Sequence, residues 1–254
     1  MCHELCPHPV RGGSGIQEEN VETPGDGAAI PGFFVRPEGE PAPAVLIIHD
    51  VWGANPFYQD VARRLAAEGF AALLPDLFVR QDPLPEQTRP AVMARKATLD
   101  ETKTVIDITS ALTWLRDHPA TTRALGTVGF CMGGTLVMLA AAREPLPAAS
   151  VAFYGFPVRQ TGTLAPINPL TEAEQGAVRS PLLGLWGDQD QGVGMENVAA
   201  YDTQLTRQGA EHEFVIYPGL PHGFLTFDPS APHYESAQDA WRLALSWLRA
   251  RLMV

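Results

Sequence analysis

A cysteine set among glycines is the residue of this chain best placed to do chemistry. Residues 129–134 read Gly-Phe-Cys-Met-Gly-Gly; they end a strand-like apolar segment and open a helical one. A strand that turns directly into a helix raises its central side chain above the sheet, in a strained conformation suited to a nucleophile. The helix N-terminus beneath Cys131 favours the thiolate, its reactive form. We therefore predict a nucleophilic Cys131; the alternative is a buried structural cysteine.

Two later segments can supply the base and the acid that a cysteine nucleophile needs. His222 follows the strand-like segment 214–217, and Asp188 and Asp190 follow the segment 182–186. The order nucleophile, acid, histidine, each at the carboxyl end of a strand, is that of the α/β-hydrolases. His222 would accept a proton from the nucleophile and pass one to the leaving alcohol, and a carboxylate would fix its tautomer. Spacing alone does not choose between the two aspartates.

Backbone N–H groups near the nucleophile can stabilise an oxyanion. Met132 offers the first, and the loop 49–53, which reads His-Asp-Val-Trp-Gly after the apolar run 44–48, should offer the second. Trp52, Phe156 and Phe224 are expected near this site, where they would form an apolar pocket; the alternative for each ring is the core.

Strand-like and helical segments alternate along the chain. The hairpin 16–35 is followed by the apolar runs 44–48 and 70–74, which are typical of strands buried on both faces. Helices are predicted at 55–67, 195–208 and the C-terminus, and around the apolar face formed by residues 105, 108, 112 and 115. This alternation predicts an α/β fold: a mostly parallel central sheet with helices on both faces. We expect one domain over residues 16–254 after a flexible tail, 1–15, with a long functional loop at 157–180.

Composition excludes several classes of function. The 254-residue chain has 18 basic and 29 acidic residues, a net charge of −11, which argues against binding to nucleic acid or to an anionic membrane. Its apolar runs are too short to span a bilayer and its N-terminus lacks a signal peptide, so we expect a cytoplasmic enzyme, monomeric or a small homo-oligomer. Zinc binding by an N-terminal cluster is the weaker alternative, since no second ligand pair follows Cys2, His3, Cys6 and His8.

Taken together, these residues resemble the dienelactone hydrolase family (carboxymethylenebutenolidases) of the α/β-hydrolase superfamily, from about residue 27 to the end. The resemblance rests on the segments 49–53, 75–81 (Pro-Asp-Leu-Phe-Val-Arg-Gln), 129–134, 187–190 (Gly-Asp-Gln-Asp) and 222–224 (His-Gly-Phe). It implies a hydrolase of carboxylic esters that needs no metal or organic cofactor. The implied substrate is a small unsaturated lactone that carries a carboxylate and opens to a dicarboxylic acid.

The resemblance also implies roles for single residues. It favours Asp190 as the acid of a triad with Cys131 and His222, and Val51 as the second oxyanion donor. Asp50 stands where the family has a glutamate that gates the resting cysteine; capping of its own loop is the alternative role.

Recognition of a substrate carboxylate is where the chain departs from the family. Arg80 matches one arginine that is expected to bind this carboxylate, with a surface ion pair as the alternative. Thr226 stands where a second arginine is expected. Affinity for a charged lactone should therefore be reduced.

We predict a cysteine-dependent hydrolase of small lactones or esters that works through a thioester acyl-enzyme. One alternative is a broad-specificity carboxylesterase for neutral esters. The other is a non-catalytic protein of this fold that binds a ligand or senses oxidants through its cysteine.

Overall fold

The computed structural model describes residues 15–143 (without the side chain of residue 143), 147–159 and 168–253. Residues 1–14 of the predicted tail, with Cys2, His3, Cys6 and His8, lie outside this range, as does the 160–167 part of the predicted loop. Within the described residues, no group of three or more His, Cys, Asp or Glu side chains is placed to hold a metal ion.

One eight-stranded sheet organises the chain, in the order β1-β2-β4-β3-β5-β6-β7-β8. The first two strands form the predicted antiparallel hairpin, β2 pairs antiparallel with β4, and every later pair is parallel. The strands are β1 (Ile16–Pro24), β2 (Ala29–Pro37), β3 (Ala42–Ile48), β4 (Ala71–Pro75), β5 (Thr121–Phe130), β6 (Ala149–Phe153), β7 (Leu182–Gly187) and β8 (His212–Tyr217). The predicted α/β fold is confirmed.

From β3 onward, helices connect the strands and pack on the sheet around a continuous apolar core. They are α1 (Pro56–Ala67), α2 (Arg89–Ala97), α3 (Glu101–Asp117), α4 (Met132–Arg143), α5 (Pro169–Glu174), α6 (Met195–Gln208) and α7 (Tyr234–Leu252). In the ranges that the structure describes, none of these helices is long and apolar enough to cross a bilayer.

Local sequence explains where α1 begins. The Asn55 side chain accepts hydrogen bonds from the N–H groups of Phe57 (3.0 Å) and Tyr58 (3.4 Å), and Pro56 takes the first helical position. This start was predicted, and it directs the chain back over the sheet after the loop that follows β3.

Two short helices were not predicted. Only Val92 of α2 is buried, so this helix has almost no apolar face to reveal it. Its detectable signal was local: Thr88 caps its first turn and Pro90 lies within that turn. Helix α5 corrects the expectation of an irregular segment over 157–180.

Candidate active site

The predicted strand–turn–helix surrounds Cys131. Strand β5 ends at Phe130 and α4 begins at Met132, so Cys131 alone forms the turn, with φ +54°. A non-glycine residue in this left-handed region is strained, by roughly 1–3 kcal/mol. Its N–H donates to the carbonyl oxygen of Phe153 at the end of β6 (3.0 Å), and the residue is 6% exposed. Since the first N–H groups of a helix lack intrahelical acceptors, that of Met132 is available to an oxyanion.

Glycines allow α4 to lie directly against the sheet at this turn. A Cβ on Gly129 would lie 2.2 Å from the carbonyl oxygen of Gly133, and one on Gly133 would lie 2.0 Å from that of Ile48. Both obstacles are backbone atoms, so no larger residue fits without moving a strand or the helix. We refer below to residues 129–134 as the nucleophile turn, after the role that the sequence predicts for Cys131.

His222 meets Asp190 rather than Asp188. The Nδ1 atom of His222 lies 2.6 Å from Oδ2 of Asp190, whose Oδ1 accepts the N–H of Val193 (3.1 Å). Asp190 is buried at 3% exposure, whereas Asp188 is exposed and accepts the N–H of Gly219 (2.7 Å). The contact between His222 and Asp190 that the family resemblance favoured is therefore present.

Two aromatic rings flank His222. The ring centroid of Tyr154 lies 5.1 Å from that of the imidazole, and the ring of Phe156 lies at 5.4 Å. Tyr154 is fully buried and is the second non-glycine residue of the described chain with a positive φ, +39°. The sequence predicted a pocket role for Phe156 and no role for Tyr154.

The loop after β3 is closed by Asp50. Its Oδ1 accepts the N–H of Trp52 (2.8 Å) and its carbonyl oxygen accepts the N–H of Gly53 (3.2 Å), in a buried position. The loop-capping role of this carboxylate is therefore confirmed, and gating of the cysteine stays a prediction. Val51, the predicted oxyanion donor, lies within this closed turn.

His49 joins the same loop to the end of β4 as a neutral imidazole. Its Nδ1 lies 2.7 Å from the carbonyl oxygen of Asp50 and its Nε2 lies 3.1 Å from the N–H of Leu77. Nδ1 must then carry the proton, and Nε2 accepts. Burial lowers the pKa of His49, although Asp76 opposes this effect, so the neutral form is favoured.

Arg80 is engaged elsewhere, which argues against its predicted contact with substrate. Its Nη1 and Nη2 donate to the two carboxylate oxygens of Asp107 (2.6 and 2.9 Å), and its Nη2 and Nε donate to the carbonyl oxygen of Asp26 (2.6 and 3.2 Å). The hydrogen bond with Asp107 raises the pKa of Arg80. This arginine fastens the hairpin turn to α3, as in the ion-pair alternative.

A different arginine lies beside the loop after β3. Arg95 of α2 donates from Nη2 to the carbonyl oxygen of Val51 (3.3 Å), and its guanidinium carbon lies 4.1 Å from the ring centroid of Phe78. Desolvation lowers the pKa of Arg95. Among the described residues no carboxylate forms an ion pair with it. Sequence reasoning missed Arg95 because it missed α2.

The remaining predicted contacts divide between core and surface. Phe224 is a correction: it is fully buried, with its ring 5.6 Å from Tyr154 and 5.5 Å from Tyr217, and so belongs to the core behind the site. Trp52 is half-buried, and its role as a pocket wall stays a prediction. The Thr226 hydroxyl accepts the N–H of Asp228 (3.1 Å), closing the turn where a second arginine was expected.

The sequence is similar to known proteins over most of its length. The model of the "Dienelactone hydrolase family" matches residues 30–252. A candidate carboxymethylenebutenolidase of Methylorubrum extorquens is 31% identical over 240 residues, which cover 93% of this chain and 82% of that protein. A candidate 2-oxo-3-(5-oxofuran-2-ylidene)propanoate lactonase of Bradyrhizobium is 34% identical over 213 residues, 83% of this chain and 84% of that one.

A solved structure agrees with these sequence matches. The crystal structure of a candidate dienelactone hydrolase from Klebsiella pneumoniae superposes with a TM-score of 0.85 at 30% identity, covering 92% of this chain and 98% of that one.

Proposed function

This chain belongs to the dienelactone hydrolase family and is a hydrolase of lactone or ester bonds, and from that premise we propose that Cys131 is its nucleophile. The observation that carries the proposal is that a strained Cys131 and a histidine–carboxylate pair, whose Nδ1 and Oδ2 atoms lie 2.6 Å apart, all follow the carboxyl ends of parallel strands of one sheet. A thiol at a helix N-terminus and an imidazole held by a carboxylate are the parts that a thiolate–imidazolium pair requires.

The first half-reaction opens the lactone. The sulfur of Cys131 attacks the carbonyl carbon, and the carbonyl electron pair moves onto oxygen, where the N–H groups of Met132 and Val51 stabilise the oxyanion. Collapse of this intermediate breaks the bond between carbon and ring oxygen. The imidazolium of His222 gives its proton to the departing oxygen, which leaves a thioester on Cys131.

The second half-reaction restores the enzyme. His222 takes a proton from water while the water oxygen attacks the thioester carbonyl, and collapse expels the sulfur. Asp190 holds Nδ1 of His222 throughout and stabilises the imidazolium each time it forms. One water is consumed, and the products are a free carboxylic acid and the hydroxyl group of the opened ring.

We propose Arg95 as the cation that meets a carboxylate on the substrate. Arg80 already contacts Asp107 and Asp26, whereas the guanidinium of Arg95 lies beside the Val51 loop and forms none of the ion pairs in the described chain. The charge of Asp76 acts on Arg95 from a distance, but no carboxylate of the described chain lies within ion-pair distance, so the guanidinium can still bind a substrate carboxylate. The name of the Bradyrhizobium relative, a lactonase of a propanoate, supports a carboxylated lactone as substrate.

Initial rates with a carboxylated dienelactone and a neutral short-chain aryl ester test this function. Wild type should prefer the dienelactone, and Cys131→Ala should lower kcat/KM by about 10⁴-fold or more with an unchanged circular dichroism spectrum. Rapid acid quench of the wild type should trap an acyl adduct on the Cys131 peptide, detected by mass spectrometry.

Other results would point to the alternatives. Cysteine-dependent turnover of the neutral ester alone would replace the lactonase with a general carboxylesterase. Full activity of Cys131→Ala would remove the cysteine from the mechanism. A stable oxidation product on Cys131 after mild treatment with peroxide, in a protein that turns over neither substrate, would favour an oxidant sensor.

A further inference from the structure

We propose that Thr135 is a positioning residue of this reaction: its hydroxyl joins the nucleophile turn to the segment that packs against His222. This role rests on the proposed chemistry of Cys131 and His222. Thr135 lies on the first turn of α4, is 1% exposed, and takes no part in the steps described above.

One hydroxyl makes both connections. Oγ1 of Thr135 donates to the carbonyl oxygen of Cys131 (3.3 Å) and accepts the N–H of Phe156 (2.9 Å). A hydroxyl has one proton and two lone pairs, so the two hydrogen bonds coexist. Loss of the hydroxyl would leave the Phe156 N–H without this acceptor and loosen the segment that carries it.

The segment 154–156 is held on several sides. The Tyr154 N–H donates to the carbonyl oxygen of Leu185 (2.7 Å), and Nε1 of Trp186 donates to that of Gly155 (2.8 Å). A Cβ on Gly155 would lie 2.6 Å from the carbonyl carbon of Gly134, so this segment rests directly on the nucleophile turn. Such a set of contacts is what maintains a residue like Tyr154 at φ +39°.

This segment also contacts His222 directly. The hydrogen bond to Asp190 is compatible with more than one tilt of the His222 ring, and the rings of Tyr154 and Phe156 pack against that ring at 5.1 and 5.4 Å. The tilt decides where Nε2 stands relative to the sulfur. A displacement of about 1 Å in a catalytic group lowers a rate by roughly 10²-fold.

Replacement of Thr135 tests the connection directly. Thr135→Val removes the hydroxyl at nearly constant volume, and Thr135→Ser keeps it. Thr104→Val is the matched control, because Thr104 is equally buried and its Oγ1 donates to the carbonyl oxygen four residues earlier (Asp100, 2.8 Å). Phe156→Leu removes the ring that packs against His222, and so tests the same positioning of His222 if Thr135→Val does not fold.

The main readout needs no turnover: the rate at which iodoacetamide alkylates Cys131 between pH 5 and 9, followed on the Cys131 peptide by mass spectrometry. We expect Thr135→Val and Phe156→Leu to slow alkylation at pH 6 by about tenfold, because a misplaced imidazole stabilises the thiolate less. They should also lower kcat by about 10- to 100-fold with KM within about twofold. Thr135→Ser and Thr104→Val should stay within about threefold of wild type.

The proposal would be overturned if Thr135→Val had the same alkylation profile and the same kcat as the wild type. So would a loss that Thr135→Ser fails to rescue, or an equal loss in Thr104→Val, since either would indicate a packing effect. Failure of the proposed function looks different: the wild-type protein would then show the pH profile of an ordinary thiol, and Cys131→Ala would retain turnover.

Discussion

Two parts of the candidate site are held in place by different means. The reaction side, formed by the nucleophile turn, Asp190, His222 and the segment 154–156, is fixed largely by backbone hydrogen bonds and by glycines at contacts too close for a Cβ. The segment 76–100 between β4 and α3, which we call the substrate side after the role proposed for Arg95, is fixed largely by two arginines.

This difference in how the two parts are held explains why the sequence predicts the first part better than the second. A close backbone contact demands glycine at a defined position, so it leaves a readable pattern. A guanidinium can choose among many acceptors within reach of its long side chain, so its partner does not follow from its position. The following experiments would break or sharpen this contrast, in order of decreasing effect.

Asp190→Asn should have the largest effect, on the reaction side. An amide cannot hold His222 in the required tautomer or stabilise its imidazolium, so we expect kcat to fall by roughly 10²- to 10⁴-fold. Asp188→Asn is the matched control, because this exposed aspartate contacts Gly219 instead; steady-state rates of both variants decide. Equal losses would mean that the contact with Asp190 does not set the protonation of His222.

Gly133→Ala should disrupt the nucleophile turn through its backbone. The new methyl group would lie 2.0 Å from the carbonyl oxygen of Ile48, so we expect a loss of about 3 kcal/mol or more in the free energy of unfolding. Gly209→Ala is the control: its φ is +70° but no atom lies within 4 Å of the new Cβ, so backbone strain alone should cost about 1–2 kcal/mol in urea titration. Similar losses in both variants would show that the close contact with β3 is unimportant.

Arg95→Gln and Arg80→Gln should separate binding from stability on the substrate side. Loss of the Arg95 charge should raise KM for the carboxylated dienelactone by about 10- to 30-fold and leave the neutral ester unaffected. Loss of Arg80 leaves the buried Asp107 carboxylate without its cation, so the free energy of unfolding should fall by about 2 kcal/mol with KM unchanged. The opposite result would restore Arg80 as the substrate contact.

The smallest effect concerns pH and His49. Its pKa is lowered in the folded protein, so below about pH 6.5 the unfolded chain binds the proton more readily and stability falls as the pH falls. The free energy of unfolding of the wild type should therefore fall between pH 7.5 and pH 5.5 by about 1 kcal/mol more than that of His49→Gln, measured by urea titration at each pH. If stability fell equally in the two proteins, the fold would not be holding this imidazole neutral.

The reaction side was largely predictable from residue types. Strand, glycine and helix patterns located the turn at Cys131, and the resemblance to the family selected Asp190, which is the aspartate that contacts His222. Tyr154 was missed because nothing in its sequence context indicates a positive φ; that conformation depends on tertiary contacts with β7.

The substrate side was less predictable for a physical reason. Helix α2 buries one apolar side chain, so hydrophobic periodicity could not reveal it, and Arg95 went unnoticed with it. Arg80 was assigned from its motif, but its partner Asp107 lies on α3 and becomes a neighbour only when the hairpin packs there. Phe224 was placed on the pocket because sequence distance from His222 does not report depth below the surface.

The contact between Gly133 and the end of β3 also has a consequence for the newly made chain. Strand β5 lies between β3 and β6, so the geometry at Cys131 requires long loops to close before it can form. Until the sheet is assembled, Cys131 lacks the ordered helix start behind it. On the mechanism proposed above it should then react as an ordinary thiol, and we expect it to be oxidised less readily than in the folded protein.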